Sequence, residues 1–148
     1  MTDTKQPWLR DPLEELLGYQ LRRASIATFV PLSEALEALG LRATDAIIIR
    51  FVEANPGCNQ AEISRSLGVK RTNMVPIVSG LVDAGLIDRT VADGRTHALY
   101  LTAKGADMHR RIAAATREND RHFFGDMDDA TRAMLLQALR AIRAKAGS

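Results

Sequence analysis

The sequence has one cysteine, Cys58, among its 148 residues. A single cysteine excludes an intrachain disulfide and any metal site built from several thiolates. It fits a reducing compartment, and we therefore expect the chain to act in the cytoplasm. No apolar run approaches the roughly 18 residues of a membrane span, and the first eight residues lack the basic-then-apolar order of a signal peptide. We expect no membrane partner.

Motifs for catalysis and metal binding are also missing from the sequence. The three histidines, His97, His109 and His122, form no pair at metal-ligand spacing and stand near no cluster of cysteines or carboxylates. The chain has no G-x-S-x-G, no glycine-rich phosphate loop and no H-E-x-x-H. We therefore expect no catalytic residue, no metal and no cofactor, and we expect that the chain is not an enzyme.

The composition is that of an ordinary globular domain, with 46% hydrophobic and 26% charged residues. The length fits one domain over residues 1–148. A net charge of +2 permits nucleic-acid binding without proving it. The positions of the charges therefore matter more than their sum.

Hydrophobic periodicity predicts a helical segment over residues 11–39 and a second helix from Thr44 to Ala54. Asp11 and Pro12 are typical of a helix start, and Pro31 should bend or break the first segment. The second helix is apolar on most sides, which indicates an interior position, and Thr44 is its expected cap.

A short helix, a tight turn and another helix follow. Asn59 and Glu62 form a variant of the capping box at the start of the short helix, which ends near Leu67. Gly68 permits the sharp turn, and the next helix ends at Gly85. This order is the signature of a helix-turn-helix.

The hydrophobic period changes from helical to alternating after residue 85. Residues 86–91 and 96–101 are rich in β-branched and apolar types, and Asp93-Gly94 between them predicts a hairpin turn. Thr102 should cap a long helix that extends to about Phe123, and a last helix should span about Asp128 to Lys145. The fold class is therefore mainly α with a small β-hairpin wing, built around a winged helix-turn-helix unit at 44–101. The helices at 11–39 and 102–148 carry apolar stripes that need a partner, and a second copy of the chain is the simplest one.

The second helix of a helix-turn-helix presents its N-terminal residues to base edges in the major groove. Cations, Asn and thymine-contacting methyl groups are concentrated there, and the hairpin tip carries Arg95 beside Asp93, which could orient the guanidinium. Cations are unfavourable at a helix N-terminus unless an anion is expected. The expected DNA-binding residues are Arg65, Lys70, Arg71, Thr72, Asn73, Met74, Asp93, Arg95 and His97. For Arg65, phosphate contact and plain surface exposure remain equal alternatives.

Pro76 is a departure from a regular recognition helix. Proline costs about 3 kcal/mol in a helix interior and little in the first turn. The sequence therefore predicts either a late helix start, with Asn73 as the cap, or a kink at Pro76.

These motifs together resemble the MarR family of bacterial regulators. The matching segments are Ala61–Ile63 with Leu67–Val69, Gly85–Ile87 with Arg89, Asp93–Arg95, and Leu101–Gly105. The resemblance implies a homodimer whose interface is formed by its first and last helices. It also implies that this dimer binds a palindromic operator in double-stranded DNA. It also implies a repressor that a small-molecule effector releases.

The resemblance further implies an effector pocket between the dimer helices and the winged unit. The residues expected there are Tyr19, Arg22, Arg23, Ile26, Phe29, Ile47, Arg50, Phe51, Met108 and Ile112. Arg50 is a cation in an apolar helix, and it either receives an acidic ligand, pairs with an internal carboxylate or extends to water. Several arginines beside an apolar slot suit an aromatic acid or its coenzyme A thioester.

Two other functions remain open from the sequence. The winged unit could serve protein contact without a DNA target, or Cys58 could make the chain a redox-sensing regulator. The redox role is the weaker of the two, because no basic residue closely flanks Cys58 to lower its pKa.

Overall fold

The computed structural model describes residues 10–146. Within them it contains six helices and one two-stranded antiparallel sheet, as the expected mainly α fold with a hairpin wing requires. The first eight residues, for which we expected no signal peptide, lie outside this range. The last two residues of segment 102–148 also lie outside it. The elements are α1 (Leu17–Glu37), α2 (Ala43–Ala54), α3 (Gln60–Leu67), α4 (Arg71–Asp83), β1 (Ile87–Asp93), β2 (Thr96–Leu101), α5 (Ala103–Phe124) and α6 (Asp129–Ala146).

The hydrophobic core lies where α2, α4, the base of the hairpin and α5 meet. Its side chains are almost entirely aliphatic, and each one buried fully contributes roughly 1.5–3 kcal/mol. The largest fully buried side chains are Ile48, Ile49, Val52, Ile63, Met74, Val78, Ile87, Leu99 and Ile112.

Helix α1 begins at Leu17, later than the sequence suggested. Asp11 instead stabilises a preceding turn, where its Oδ1 accepts a hydrogen bond of 2.9 Å from the Leu13 amide. The expected break at Pro31 is absent, because α1 continues through this residue. The alternative, a bend at Pro31, stays a prediction. Pro31 is exposed, so water can hydrate the carbonyl that lacks its usual helical partner.

The start of α2 also differs from the expectation. The expected cap, Thr44, lies inside the helix, and Arg42 occupies the cap position. Asp45 stabilises this end of the helix, because its carboxylate accepts the Arg42 amide at 2.8 Å and lies 3.5 Å from the Arg42 guanidinium.

The capping box and turn of the helix-turn-helix are confirmed. The Glu62 amide donates to the Asn59 side chain at 3.0 Å, and the Asn59 amide donates to the Glu62 carboxylate at 2.9 Å. Gly68 then takes a left-handed conformation with φ 65°, which glycine adopts without steric cost. The turn closes with a 3.0 Å hydrogen bond from the Val69 amide to the Ser64 carbonyl.

Helix α4 begins at Arg71, so the prediction of a late start with Asn73 as the cap is wrong. Pro76 is the sixth residue of the helix, beyond the first turn. The helix persists because Met74, Val78 and Leu81 are buried in the core, and their burial outweighs one lost backbone hydrogen bond. The alternative, a kink at Pro76, stays a prediction.

The hairpin is anchored at its base and open at its tip. Ile87 pairs with Leu101 and Arg89 with Leu99, with an irregularity in the register between Val91 and Asp93. The loop after α2 extends the sheet, because the Gly57 amide donates to the Leu99 carbonyl and the Leu99 amide to the Cys58 carbonyl, both at 2.8 Å. Ala98 and Leu99 are buried in the hairpin's base, whereas every residue from 88 to 97 is exposed.

The first turn of α5 closes the last turn of α4. The Thr102 hydroxyl donates to the Gly85 carbonyl at 2.6 Å and accepts the Gly105 amide at 2.9 Å. The Lys104 ammonium donates to the Ala84 carbonyl at 2.8 Å. These bonds satisfy carbonyls at the C-terminal end of the recognition helix, where a cation also interacts favourably with the helix dipole.

Large apolar side chains remain uncovered at the two ends of the described chain. Helix α6 has no buried residue. The exposed apolar side chains in these regions are Leu13, Leu16, Leu17, Leu21, Ile26, Phe29 and Val30 near or on α1, and Met134, Leu135, Leu136 and Ile142 on α6.

No helix within residues 10–146 combines the length and the hydropathy that crossing a lipid bilayer requires.

Gly105 should be intolerant of a side chain. A Cβ at this position would overlap the backbone carbonyl oxygen of Leu86, which cannot move without opening the α4–α5 junction. We expect Gly105→Ala to lower the free energy of unfolding by about 1–3 kcal/mol. Urea unfolding at one fixed protein concentration measures the change.

The matched control is Gly80→Ala in α4, where an added Cβ would meet no heavy atom within 4 Å. This substitution should raise the stability by up to about 1 kcal/mol, since alanine is the better helix former. Equal stability of Gly105→Ala and the parent chain would contradict the packing of this junction.

Candidate nucleic-acid interface

The N-terminus of α4 concentrates positive charge at one exposed point. Lys70 precedes the helix in an extended conformation, Arg71 is its first residue, and no acidic residue occupies its first turn. The first amides of a helix lack intrahelical partners and carry a partial positive charge. This end of α4 therefore favours an anion.

Four arginines from different elements line one cleft beside that helix end. The cleft has a volume of about 240 Å³ and lies between α3, the start of α4 and the hairpin. We call it the basic cleft. Among the described residues that line it, none is Asp or Glu. Its lining residues are Asn59, Gln60, Ala61, Arg65, Arg71, Arg89, Arg95, Thr96 and His97.

Four of the nine expected DNA-binding residues therefore come together, namely Arg65, Arg71, Arg95 and His97. Lys70 lies on an adjoining groove that shares Arg65 and Arg71 with the basic cleft. The tertiary fold thus joins arginines that lie up to 30 positions apart in the sequence.

Thr72, Asn73 and Asp93 are exposed, but they do not line the basic cleft. Thr72 and Asn73 are in the first turn of α4, and Asp93 ends β1 at the hairpin tip. The structure records no hydrogen bond or ion pair between Asp93 and Arg95 within residues 10–146. Asp93 thus does not orient the guanidinium in this protomer.

The prediction of DNA contact is wrong for Met74. Its side chain is only 1% exposed and belongs to the hydrophobic core. Helical geometry explains the error, because Met74 shares its stripe with Val78 and Leu81, four and seven residues later. The side chain therefore stabilises the position of α4 and does not reach its outer surface.

Arg89 and Gln60 line the basic cleft although the sequence did not single them out as DNA contacts. Arg89 lies opposite the buried Leu99 in the ladder, and its Nη2 lies 3.5 Å from the Ser79 hydroxyl. The alternation of side chains along the strand could have revealed Arg89 as a cleft residue. Residues 87 and 89 point to the same face of the strand, and Ile87 on that face is buried. Arg89 must therefore turn toward the helices.

Cys58 is half-buried in the loop before α3. Burial raises the pKa of its thiol, and the nearby negative charge of Glu62 raises this pKa further. The thiol therefore remains protonated at neutral pH, unlike the reactive thiolates of oxidant-sensing cysteines.

The residues expected at the effector pocket lie on three helices. On α1, Arg23 donates to the Tyr19 hydroxyl at 3.2 Å and lies 5.8 Å from the centre of its ring. Arg22, Ile26 and Phe29 are exposed on the same helix.

Arg50 on α2 points toward α5, where its Nη1 donates to the Thr116 hydroxyl at 3.1 Å. Arg50 is exposed, and no ion pair involves it within residues 10–146. Of the three roles considered for Arg50, pairing with an internal carboxylate is thus not seen. Close by, the Asn119 amide group donates to the Thr28 carbonyl at 3.2 Å and links α5 to α1.

The remaining residues expected at the effector pocket do not lie together in the structure. Ile47 is exposed on α2, while Phe51 and Met108 are half-buried and line two different cavities. Ile112 is 1% exposed in the core, so the expectation that it faces a ligand is wrong. It belongs to the hydrophobic core, on the helix α5 that packs against α1 and α2.

Residues 10–146 contain no group of three or more His, Cys, Asp or Glu placed to hold a metal ion.

A basic helix-turn-helix that shares a cleft with an arginine-bearing hairpin defines a winged helix-turn-helix protein. A model of the MarR family matches residues 39–96. The transcriptional repressor Rv2887 of Mycobacterium tuberculosis is 33% identical over 106 residues, which are 70% of this chain and 76% of Rv2887. The chain belongs to the MarR family.

Solved structures agree with this assignment. The repressor CouR bound to a 23-mer DNA duplex is 32% identical, with a TM-score of 0.80 over 88% of this chain and 94% of CouR. CouR bound to p-coumaroyl-CoA is 30% identical, with a TM-score of 0.77 over 92% and 97%. Rv2887 in complex with salicylic acid is 27% identical, with a TM-score of 0.65 over 85% and 95%.

Proposed function

We propose that the chain is a homodimeric, sequence-specific DNA-binding repressor that leaves its operator when a small anionic aromatic ligand binds. The observation that carries this proposal is the basic cleft, where Arg65, Arg71, Arg89 and Arg95 converge without a lining carboxylate. Several unpaired cations at one exposed surface repel one another unless a polyanion neutralises them. The proposed activity is regulatory and not catalytic, and it takes place in the cytoplasm.

The two sides of the cleft suit different parts of a duplex. Helix α4 would enter the major groove, with Arg71 at its tip and Thr72 and Asn73 able to reach base edges. Arg95 at the hairpin would meet the backbone or the minor groove beside it. Val75 and Pro76 are exposed in α4, and their apolar surfaces suit contact with thymine methyl groups.

The similarity to known repressors supports the same function. CouR and Rv2887 are both repressors, and CouR binds a DNA duplex. Their identity to this chain extends beyond the helix-turn-helix, so the likeness concerns the whole arrangement of helices and wing.

We propose that a second copy of the chain covers the apolar surface of α1 and α6. Large apolar side chains are exposed along both helices, and Leu17 on α1 and Met134 on α6 are 87% and 64% exposed in one chain. Large contiguous apolar patches are rare on monomeric proteins. Segments 11–39 and 102–148 would form the dimer, and a twofold axis would match a palindromic operator. Two recognition helices would then lie about 34 Å apart, one turn of DNA.

We further propose that the effector binds at the junction of α1, α2 and α5. Arg50 offers a cation there, and the hydroxyl of Thr116 is an uncharged partner that a carboxylate could replace. Arg22 and Arg23 add positive charge on α1, which suits an aromatic acid or the phosphates of its coenzyme A thioester. CouR and Rv2887 bind ligands of these two classes.

Removing single arginines from the basic cleft should weaken DNA binding. Arg71→Ala should cost about 1–3 kcal/mol on the specific site if the side chain reads a base. Arg89→Ala and Arg95→Ala should weaken binding more evenly across sequences and reduce the log-log salt slope by about 0.9 for each lost phosphate contact. Fluorescence anisotropy with an operator duplex and a scrambled duplex at several salt concentrations measures both effects.

The control for these variants is Arg121→Ala. Arg121 is exposed and ion-paired with Glu118 near the far end of α5. This variant should bind DNA like the parent. Parent-like affinity and salt slope in all three cleft variants would refute the DNA interface and favour a winged unit that serves protein contact.

The dimer should dissociate when its apolar surface is charged. Leu135→Asp in α6 should shift the sedimenting mass from about twice the 16.2 kDa of one chain toward the monomer and weaken operator binding. The control for the sedimenting mass is Val91→Asp, because Val91 is also apolar and is 69% exposed but lies on the hairpin, away from α1 and α6. A parent chain that sediments as a monomer, or an unchanged mass in Leu135→Asp, would contradict this arrangement.

Arg50→Gln should weaken effector binding, because glutamine can still donate to Thr116 but carries no charge. A charge-assisted hydrogen bond contributes about 1.5–3 kcal/mol, so calorimetry should give a dissociation constant roughly 10–100 times higher for p-coumaroyl-CoA or salicylate. Arg110→Gln is the control, since within residues 10–146 Arg110 pairs only with the exposed Asp107 of its own helix. The proposal fails if neither compound binds the parent chain, or if Arg50→Gln binds them as the parent does.

A further inference from the structure

A second cavity lies behind the recognition helix, between the α1–α2 turn, the C-terminal half of α4 and the start of α5. We call it the rear cavity. Its volume is about 330 Å³, at the lower end of the range of small-molecule sites. It shares no lining residue with the basic cleft and only Met108 with the residues expected at the effector pocket.

The floor of the rear cavity is apolar. Leu41 and Leu81 are buried, and Ile77 and Met108 are half-buried against the core. An occupant that removed this surface from water would gain roughly 25 cal/mol per Å² of apolar area. The floor therefore suits a hydrocarbon body, either one ring or a short chain.

The charges at the rim favour a single negative charge on that body. Asp45 is already matched, because Arg42 contributes both its amide and its guanidinium to the Asp45 carboxylate. Lys104 remains as the cation in excess. Its ammonium has three donors, and the described chain records one hydrogen bond for it, to the Ala84 carbonyl.

Gly80, on the wall of the rear cavity, is a helix glycine that the packing of the described chain does not require. Glycine in a helix interior costs about 1 kcal/mol relative to alanine. No packing reason for this cost exists within the described chain, because an added Cβ at residue 80 would meet no atom within 4 Å. At Gly105, by contrast, close approach of the backbone requires glycine. Gly80 lines the rear cavity, so a long side chain at this position would compete with an occupant for the same space.

We infer that the rear cavity binds a small apolar monoanion, with a carboxylate on Lys104 and a hydrocarbon body over Leu81 and Met108. Ile77, Gly80, Leu81 and Ala84 all belong to α4 or its C-terminal turn, so an occupant would contact the helix that carries Arg71. Binding in this cavity would therefore bias the placement of α4. This second step rests on the proposed DNA-binding function, whereas the binding itself does not.

The test uses 4-phenylbutyrate and its uncharged amide as probes, with calorimetry and methyl NMR on the full chain. We expect saturable binding of the acid, shifts in the methyl signals of Leu81 and Met108, and at least about tenfold weaker binding of the amide. Gly80→Met, which fills the cavity, should abolish binding. Lys104→Gln, which can still donate to Ala84, should weaken it about tenfold or more.

Arg121→Gln is the matched control, because it removes an exposed cation that pairs with Glu118 near the far end of α5 and lines neither proposed ligand site, so the affinity for 4-phenylbutyrate should be unchanged. Arg50→Gln shows whether the probe binds instead at the proposed effector site. The inference is overturned if the acid does not bind saturably, or if Arg50→Gln loses binding while Gly80→Met and Lys104→Gln keep it. Loss of the dimer in Gly80→Met would also overturn it, since a second copy of the chain would then cover this surface. Urea unfolding of each variant separates these outcomes from misfolding.

The bias on α4 is tested by measuring the DNA affinity of the parent chain with and without saturating 4-phenylbutyrate. Coupling between two sites is reciprocal, so the ratio of these affinities must equal the change that DNA causes in probe affinity. A ratio of one would contradict the inference that binding biases the placement of α4. It would not contradict the inference that the rear cavity binds the probe. Failure of the proposed DNA binding would appear separately, as a lack of salt-dependent affinity for DNA without the probe.

Discussion

Burial of Met74, Val78 and Leu81 determines how α4 is rotated about its own axis, and the basic cleft depends on that rotation. A helix turns by about 100° per residue, so these side chains form one stripe against the core. Arg71 lies one turn earlier on the same side, beyond the end of the core, and it therefore extends into the cleft. Thr72 falls on nearly the opposite side and faces solvent. Loss of the buried stripe would remove both placements at once.

The other end of the recognition helix is held by polar contacts and by close packing. Thr102 and Lys104 bond to the carbonyls of Gly85 and Ala84, and the missing side chain of Gly105 lets α5 approach the backbone of Leu86. Helix α4 is thus held by the core along one face and by α5 at its last turn. This double attachment explains how the helix accommodates Pro76 in its interior, where an isolated helix would break.

Sequence rules succeeded where the interactions are local and failed where packing opposed them. The capping box of Asn59, the turn at Gly68 and the cap at Thr102 all involve groups within a few residues, and all were predictable. The predictions of a late start of α4 and of a break at Pro31 were wrong. In both helices, burial and helix packing outweigh the cost of a proline at an exposed site. Met74 was misassigned for a related reason, since residue type alone does not reveal the helix face.

The sequence by itself determined the order of the elements, the position of the helix-turn-helix and the cations at its tip, because caps, turns and periodicity act between neighbours in the chain. Only the tertiary structure decided that Arg89 joins Arg71 and Arg95 in one cleft, and that Gly80 and Lys104 border a common cavity. These groupings join residues distant in the sequence, and the packing of α4 against the hairpin and α5 sets the distances between them. No local rule contains those distances.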